Sequence, residues 1–251
     1  FGLSNQENIT LSDSKQSLGT GDLLSSTNQN QLNKLYSHNI SGRGEFKIDS
    51  LHKLIITPSV TINNTRNTGL LLTQTRDINN TQLNNGYNQS RTVGDNIEYQ
   101  ISTNLWKDLK KNKGSINTTL NLTRKNNYTD YFNNTISNFY NPNSTQILDQ
   151  LRDINIINQS AFLSINFTRV LSKKLNLIIA GNGNYIDNEN ALVTFYKDPK
   201  NQAYDIAVPT LSQTVNQEGF KTNTRASLRW KITKDFSIQP GIVFNTINLD
   251  N

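Results

Sequence analysis

Four copies of one hairpin recur along the chain: an alternating strand, a short Lys-rich turn and a second alternating strand. The copies span residues 40–64, 97–124, 161–186 and 220–248, with turns at 49–53, 107–113, 172–174 and 233–235. They begin roughly 60 residues apart, a longer period than that of most soluble repeat units. A polar stretch precedes each copy, at 16–37, 65–96, 128–158 and 187–219, and the composition of these stretches predicts long loops. The pattern therefore predicts a β-meander with short turns at one end and long loops at the other.

Within each strand, polarity alternates from one residue to the next, and alternate side chains of a strand point to opposite faces. In the fourth hairpin, Phe220 and Leu228 share one face, whereas Arg225 and Arg229 share the other. The other hairpins repeat this division, which indicates a sheet that buries one face only. The charged residues of the polar faces are candidates for the lining of a water-filled lumen: Arg43, Lys47, Arg225, Arg229 and Lys231.

The length of the strands favours a membrane sheet. They run for about 9–13 residues, whereas a strand of a soluble protein has about 5–6 and a tilted strand needs about 9–11 to cross a bilayer. A Lys or Arg that faced lipid near the midplane would cost roughly 2–4 kcal/mol, so the charged face must point to the lumen. The predicted fold class is all-β: an antiparallel transmembrane β-barrel, a meander of long hairpins that forms part of a larger barrel.

Composition is compatible with a barrel and also with disorder. Only 34% of the residues are hydrophobic, 18% are charged and the mean hydropathy is −0.60, because neutral polar residues dominate. Such chains are often disordered. A barrel with a wet lumen, however, needs only every second strand residue to be apolar, and the alternation favours the barrel. The sequence has no apolar run long enough for a transmembrane helix, and it has no Cys for disulfides or thiolate metal sites.

Aromatic residues form two groups of candidate positions. Trp106, Trp230 and Phe236 lie beside the short turns, and such rings favour the headgroup level of a membrane. The alternative for them is a set of core aromatics at the edge of a β-sandwich. The candidates for ligand contact in a loop are Tyr128, Tyr131, Phe132 and Tyr140. The alternative for these four is packing of the loop against its neighbours. Residues 147–157 could form a short helix in the same loop.

The sequence lacks the residue constellations of an enzyme. Its two His residues, His38 and His52, lie before a strand and in a short turn, and it has no HExxH motif, nucleophile elbow or Walker loop. We therefore expect no catalytic residue, no cofactor and no metal site. The net charge of +6 could indicate nucleic acid, but the Lys residues concentrate in the short turns and do not interleave with aromatics. We expect these turns to lie in water beside lipid headgroups, with no nucleic-acid partner.

The segment 38–59 carries a family resemblance. Residues 46–49 (Phe-Lys-Ile-Asp) end a strand, a turn follows, and residues 58–59 (Pro-Ser) lie in the next strand. This arrangement resembles the barrel of TonB-dependent receptor-like outer-membrane proteins, and a looser likeness extends over the whole chain. The resemblance implies a barrel of roughly 22 strands around a plug domain, surrounded by lipid in the outer membrane of a Gram-negative bacterium. It also implies an energy-coupling protein and a surface lipoprotein as partners.

In such a protein the chain would be a middle portion of the barrel. Residues 1–251 would form one partial outer-membrane β-barrel without a separate plug domain, and the start at Phe1 suggests an internal fragment. The leading hypothesis is an outer-membrane receptor or transporter for a nutrient such as a chelated metal, oligosaccharide or peptide. The second is a passive, porin-like channel or a structural barrel in an envelope complex. The third is a secreted β-sandwich or adhesin module.

Overall fold

The computed structural model describes residues 2–18 and 21–250, nearly all of them in β-strands. The strands are β1 (Gly2–Leu18), β2 (Gly21–Ser41), β3 (Gly44–Lys47), β4 (His52–Asp77), β5 (Gln82–Asp108), β6 (Gly114–Tyr140), β7 (Asn143–Val170), β8 (Leu175–Lys197), β9 (Tyr204–Ala207), β10 (Gln213–Lys231), β11 (Ser237–Ile238) and β12 (Gly241–Asp250). Short 3₁₀ turns lie at Lys110–Asn112 and Pro209–Leu211. In these ranges no helix is long and apolar enough to cross a membrane.

All twelve strands belong to one antiparallel sheet with the order β1-β2-β4-β5-β6-β7-β8-β10-β11. The short strand β3 pairs with β4, β9 pairs with β8, and β12 pairs with β10. Consecutive long strands are thus neighbours throughout, and the prediction of an all-β antiparallel meander is confirmed. Among the residues described, the sheet does not close, since β1 pairs only with β2 and β12 only with β10. An open sheet of this kind is consistent with part of a larger barrel.

Two prolines divide two of the long strands into pieces. β2 and β3 pair with β4 in one continuous register. Between them, Gly42 N–H donates to Pro58 O at 3.0 Å, but Pro58 has no N–H with which to return the bond. Pro240 itself lies between β11 and β12. Its carbonyl accepts a hydrogen bond from Leu228 N–H at 3.0 Å, but it has no N–H to donate to β10. Nine long antiparallel runs therefore make up the described sheet.

The prediction of long polar loops is wrong. Strands run through most of these stretches, and the connections between β4 and β5, β6 and β7, and β8 and β9 are 78–81, 141–142 and 198–203. Pairing between β4 and β5, for example, continues out to Arg76 and Gln82. Polar side chains bond across these strands, as where Asn88 Nδ2 donates to Asn133 Oδ1 at 2.6 Å. Cross-strand pairing thus outweighs the low intrinsic β-propensity of Asn.

The helix predicted over 147–157 is wrong for a related reason. These residues lie in β7, where Ile154 and Ile156 point to one face of the sheet and Leu151 and Ile157 to the other. The apolar residues that suggested a helical stripe therefore divide between two faces of a strand. The long strands from β1 to β10 have 17 to 28 residues instead of about 9–13, because they extend past the alternating segments into the Asn-rich stretches.

The four short turns lie at one end of the sheet, at 48–51, 109–113, 171–174 and 232–236, and together form what we call the short-turn rim. Backbone hydrogen bonds of 2.8 Å link the turns to the hairpins beside them. Asp108 N–H donates to Leu51 O, Val170 N–H to Lys113 O, and Lys231 N–H to Lys174 O. The rim is therefore a continuous backbone-bonded edge in which neighbouring turns have a fixed spacing.

Candidate functional site

One face of the sheet carries a wide region without charge beside the short-turn rim. Directly opposite residues of paired strands share a face, and one such row runs from Pro58 through Ile101, Leu122, Ala161 and Tyr185 to Phe220. We call the surrounding region the apolar band. It comprises alternate residues of 40–46, 54–62, 97–105, 116–122, 161–167, 175–185, 220–230 and 242–246, and none of them is charged.

The side chains of the apolar band are exposed or half-buried, and none of them is fully buried. Ile101 is 45% exposed, Ile165 is 44% exposed and Trp230 is 54% exposed. A soluble monomer rarely exposes a contiguous apolar patch of more than a few hundred Å², whereas this band crosses at least eight strands. Its segments in β4 (54–62) and β10 (220–230) match the length of about 9–11 residues that a tilted strand needs to cross a bilayer.

The strands are tilted against the short-turn rim. A line drawn across the sheet at right angles to the strands starts at His52, the first residue of β4, and follows directly paired residues of β5, β6 and β7 to Ile179 of β8. Strand β8 begins at Leu175, so the rim is displaced by four residues over these strands. Four residues correspond to about 13 Å along a strand, and four strand spacings correspond to about 19 Å. The ratio gives a tilt of about 35°, which lies in the range of transmembrane barrels, about 35–45°.

Charged residues border the apolar band on both sides. Toward the rim, Lys107 and Arg169 follow it on the same face. Toward the other end, the same face carries Arg66, Asp95 and Asp130, and the strands continue as a polar sheet. The band thus has two sharp polar borders, which is the pattern expected of a surface that crosses the hydrocarbon core of a bilayer.

The opposite, polar face is lined mainly by Asn, Thr, Ser and Gln, and it carries the predicted lumen residues. Lys47 of β3 and the three cations of β10 have the register of this face, and Arg43 lies between β2 and β3. Arg43 contacts Glu45 at 3.7 Å, and Arg229 Nε donates to Gln239 Oε1 at 3.0 Å. Five strands separate the two groups, so the described sheet does not bring Arg43 and Arg225 together.

The predicted interface aromatics divide between the faces. Trp230 lies on the face of the apolar band at its rim end, and Phe236 lies in the last short turn, 55% exposed. Trp106 lies on the polar face, opposite Lys53 and Asn117. Trp230 and Phe236 have positions suitable for a membrane interface, whereas Trp106 faces the side of the predicted lumen.

The four aromatic residues assigned to a ligand-binding loop lie in strand β6 instead, so the loop assignment is wrong. Tyr128, Phe132 and Tyr140 share the face of the apolar band beyond its border, and Tyr131 lies on the polar face. They do not form one cluster. Their contact with a ligand stays a prediction, and Tyr131 is the one whose register places it on the predicted lumen side.

A polar network that the sequence did not indicate lies at the far end of the apolar face. Tyr204 of β9 donates its hydroxyl to Asp149 Oδ1 at 2.6 Å, and Lys197 Nζ lies 3.6 Å from Asp149 Oδ2. The Tyr204 ring meets Phe132 edge to face at 5.5 Å, and the Arg91 guanidinium lies 5.6 Å from the Phe132 centroid. Its members come from five strands, β5 to β9, and no local motif joins them in the sequence.

We expect Tyr204 to ionise at unusually high pH. Burial, followed by the bond to the Asp149 carboxylate, raises its pKa to about 12, against an ordinary value of about 10. Because the neutral phenol is favoured in the folded state, its contribution to stability is present below pH ~10 and is lost as pH rises through ~12. In a titration of phenolate absorbance, Tyr204→Phe should remove a phase near pH ~12. Persistence of that phase in the variant would assign it to another tyrosine.

An insert between β9 and β10 packs on the polar side of Thr194 at the far end of the sheet. Thr194 of β8 is fully buried and holds this insert, residues 208–212, by three bonds. Its N–H donates to Ser212 Oγ at 3.0 Å, its hydroxyl donates to Leu211 O at 2.8 Å, and its carbonyl accepts from Val208 N–H at 2.8 Å. Pro209 was the one sequence signal of this break, since a proline is rare within a paired strand.

No protein-family model matches the chain, and no curated protein sequence is significantly similar to it. The likeness to TonB-dependent receptors therefore stays a prediction that is based on the residues of the 38–59 segment. Within the described ranges, no three His, Asp or Glu side chains are grouped so that they could hold a metal ion. The geometry of the two faces is thus the main basis for a functional proposal.

Proposed function

We propose that the chain forms part of an outer-membrane β-barrel that serves as a receptor or transporter for nutrient uptake. The observation that carries this proposal is the apolar band: an exposed region without charge that has the length of a membrane-crossing strand. The strand tilt of about 35° supports the same conclusion. The polar face then lines the lumen.

The polar face suits a hydrogen-bonding solute. Its side chains are mostly amides and hydroxyls, which both donate and accept hydrogen bonds, and the cations of β10 add sites for an anionic group. A chelated metal, an oligosaccharide or a peptide has this chemistry. The 208–212 insert lies over the polar face at the end away from the rim, where it would narrow the mouth through which a solute passes.

The single sheet argues against the secreted sandwich. A β-sandwich buries an apolar face under a second sheet about 10 Å away. All strands described here belong to one sheet, and the apolar band remains exposed. A bilayer covers such a surface without a second sheet, which favours the membrane protein over the adhesin module.

Cysteine labelling tests the membrane assignment on a chain that has no native Cys. Ile165 and Asn166 are adjacent in β7, are both exposed in the structure and point to opposite faces. In the full protein reconstituted in vesicles, a membrane-impermeant maleimide should label Asn166→Cys, which faces water, faster than Ile165→Cys, which lipid covers. Equal labelling of the two variants, or a folded monomer in water without detergent, would contradict the proposal.

A swelling measurement separates receptor from passive channel. Vesicles that contain an open porin-like barrel swell in an isotonic solution of any small polar solute that fits the pore. A receptor whose lumen is blocked until it is energised should give no swelling above that of empty vesicles. General swelling would support the passive barrel in place of the transporter.

A further inference from the structure

The positive charge of the chain is concentrated at the short-turn rim. Within 47–53, 106–114, 169–175 and 229–236 there are twelve Lys and Arg residues against three Asp, so this region carries +9 with His neutral. The whole chain carries +6, and everything else therefore carries −3. The twelve cations are Lys47, Lys53, Lys107, Lys110, Lys111, Lys113, Arg169, Lys173, Lys174, Arg229, Lys231 and Lys234. Lys47, Lys53, Arg229 and Lys231 have the register of the polar face, so the other eight are the ones at the turns and on the face of the apolar band.

The lysines at the tips of the turns are available to a partner. Lys110, Lys113, Lys173, Lys174 and Lys234 are exposed. Within the part of the chain that the structure describes, none of these five forms an ion pair: the pairs of the rim region join Lys53 and Arg43 to Glu45 and His52 to Asp49. Their charges are consequently not neutralised by the protein itself.

The turns are close enough for their fields to add. Successive turns of the rim are two strands apart, about 10–12 Å along the tilted rim, which is close to the Debye length of about 8–10 Å at 0.1–0.15 M salt. The backbone bonds between neighbouring hairpins, such as Lys231 N–H to Lys174 O at 2.8 Å, keep this spacing fixed. The rim therefore presents a continuous cationic edge rather than isolated charges.

We propose that the short-turn rim binds the headgroups of anionic phospholipids. This inference rests on the proposed function, because it requires that the apolar band be covered by lipid. Acyl chains would lie against the band, and the phosphates of the same lipids would meet the lysines beyond its border. Each Lys near an anionic lipid surface contributes about 1 kcal/mol, or about fivefold in binding.

The shape of the cationic region favours lipid over an acidic protein. It follows the border of the apolar band along all four hairpins, and Trp230 and Phe236 lie at the same level. A leaflet of anionic lipid has this extended geometry, with aromatic rings and basic residues at the headgroup depth. An acidic soluble partner would instead need a compact patch with an apolar centre.

Trp230 provides a local reporter. The chain has two Trp, so Trp106→Phe leaves only Trp230, which is exposed at the rim end of the band, next to the turns 171–174 and 232–236. The full protein with this change is reconstituted with brominated phosphatidylglycerol or brominated phosphatidylcholine, and quenching of Trp230 is compared. We expect the anionic lipid to quench with at least about fivefold higher apparent affinity at low salt, since one Lys alone contributes this much, and this preference to decline at high salt.

A triple substitution, Lys173→Gln, Lys174→Gln and Lys234→Gln, should bring the preference to within about twofold of unity. The matched control is Lys34→Gln, Lys125→Gln and Lys200→Gln, which removes equal charge away from the rim and should keep the preference. Equal quenching by both lipids in the protein with native lysines would overturn the lipid inference alone. Absence of quenching by either lipid would overturn the membrane assignment itself.

Discussion

Ile101→Arg should lower the free energy of unfolding of the membrane-inserted protein by about 2–4 kcal/mol. Ile101 lies at the middle of the β5 segment of the apolar band (97–105), between Pro58 and Leu122 of the neighbouring strands, and is 45% exposed. If lipid covers this face, the guanidinium must enter hydrocarbon without a partner. In water, the same substitution at a half-exposed position would cost within about 0.5 kcal/mol. Denaturant titration of the protein in lipid vesicles measures the difference.

Ser102→Arg is the matched control, because Ser102 is the next residue of the same strand and points to the polar face. Its cost should be small, since an arginine there meets water. Ile97→Arg tests how the cost depends on depth in the membrane, because Ile97 lies at the border of the band that is farther from the short-turn rim. We expect the free energy of unfolding to fall there by only about 0–1 kcal/mol. Equal destabilisation by Ile101→Arg and Ser102→Arg would show that the two faces do not differ in their surroundings. If the Ile101→Arg protein fails to insert into the vesicles, the free energies of unfolding of the Ile97→Arg and Ser102→Arg proteins can still be compared.

Gly114→Ala should destabilise the second hairpin by about 3 kcal/mol or more. Gly114 begins β6 with φ +135°, a conformation that residues with a Cβ rarely adopt. An added Cβ would also overlap the backbone carbonyl of Thr168 on β7. The backbone rather than a flexible side chain blocks this space, so relief requires that β6 and β7 separate next to the turn.

Gly21→Ala isolates the effect of the overlap. Gly21 has φ +136°, but an added Cβ there meets no described atom within 4 Å. We expect this variant to lose only the conformational part, about 1–2 kcal/mol. Unfolding of both variants and the native protein in vesicles gives the comparison. Equal losses would show that a small backbone shift relieves the contact between Gly114 and Thr168.

The short-turn end of the sheet could be predicted from the sequence because its strands alternate between apolar and polar residues. Where lipid or a core takes one face, composition follows the period of two. The parity of the strand also placed Trp106 with Asn104 on the polar face, and only its nearness to a turn suggested the interface. Near the rim, the alternation of polar and apolar residues predicted the face of the sheet that a side chain occupies better than its distance from the turn did.

The far half of the sheet could not be predicted in this way. Beyond the apolar band both faces are polar, so a strand such as 82–96 has the composition of a loop. Its order is due to pairing along its whole length with β4 and β6, which a single-strand pattern does not contain. The bonds of Thr194 to the 208–212 insert could not be predicted either. They join residues up to 18 positions apart, and the hydroxyl and backbone groups that form them are present in every Thr and Ser.

Every long-strand pairing in the sheet joins neighbours in the chain. The closure of each new hairpin therefore involves only a short loop, and its entropic cost grows slowly with loop length. A copy of roughly 60 residues adds two strands and alters the contacts of the adjacent strands only. Insertion or loss of a whole copy would change the circumference of a barrel by two strands while every other register stayed the same. In a closed barrel of this kind, the width of the lumen would then change in discrete steps of two strands, while the pairing of the other strands stayed as it is.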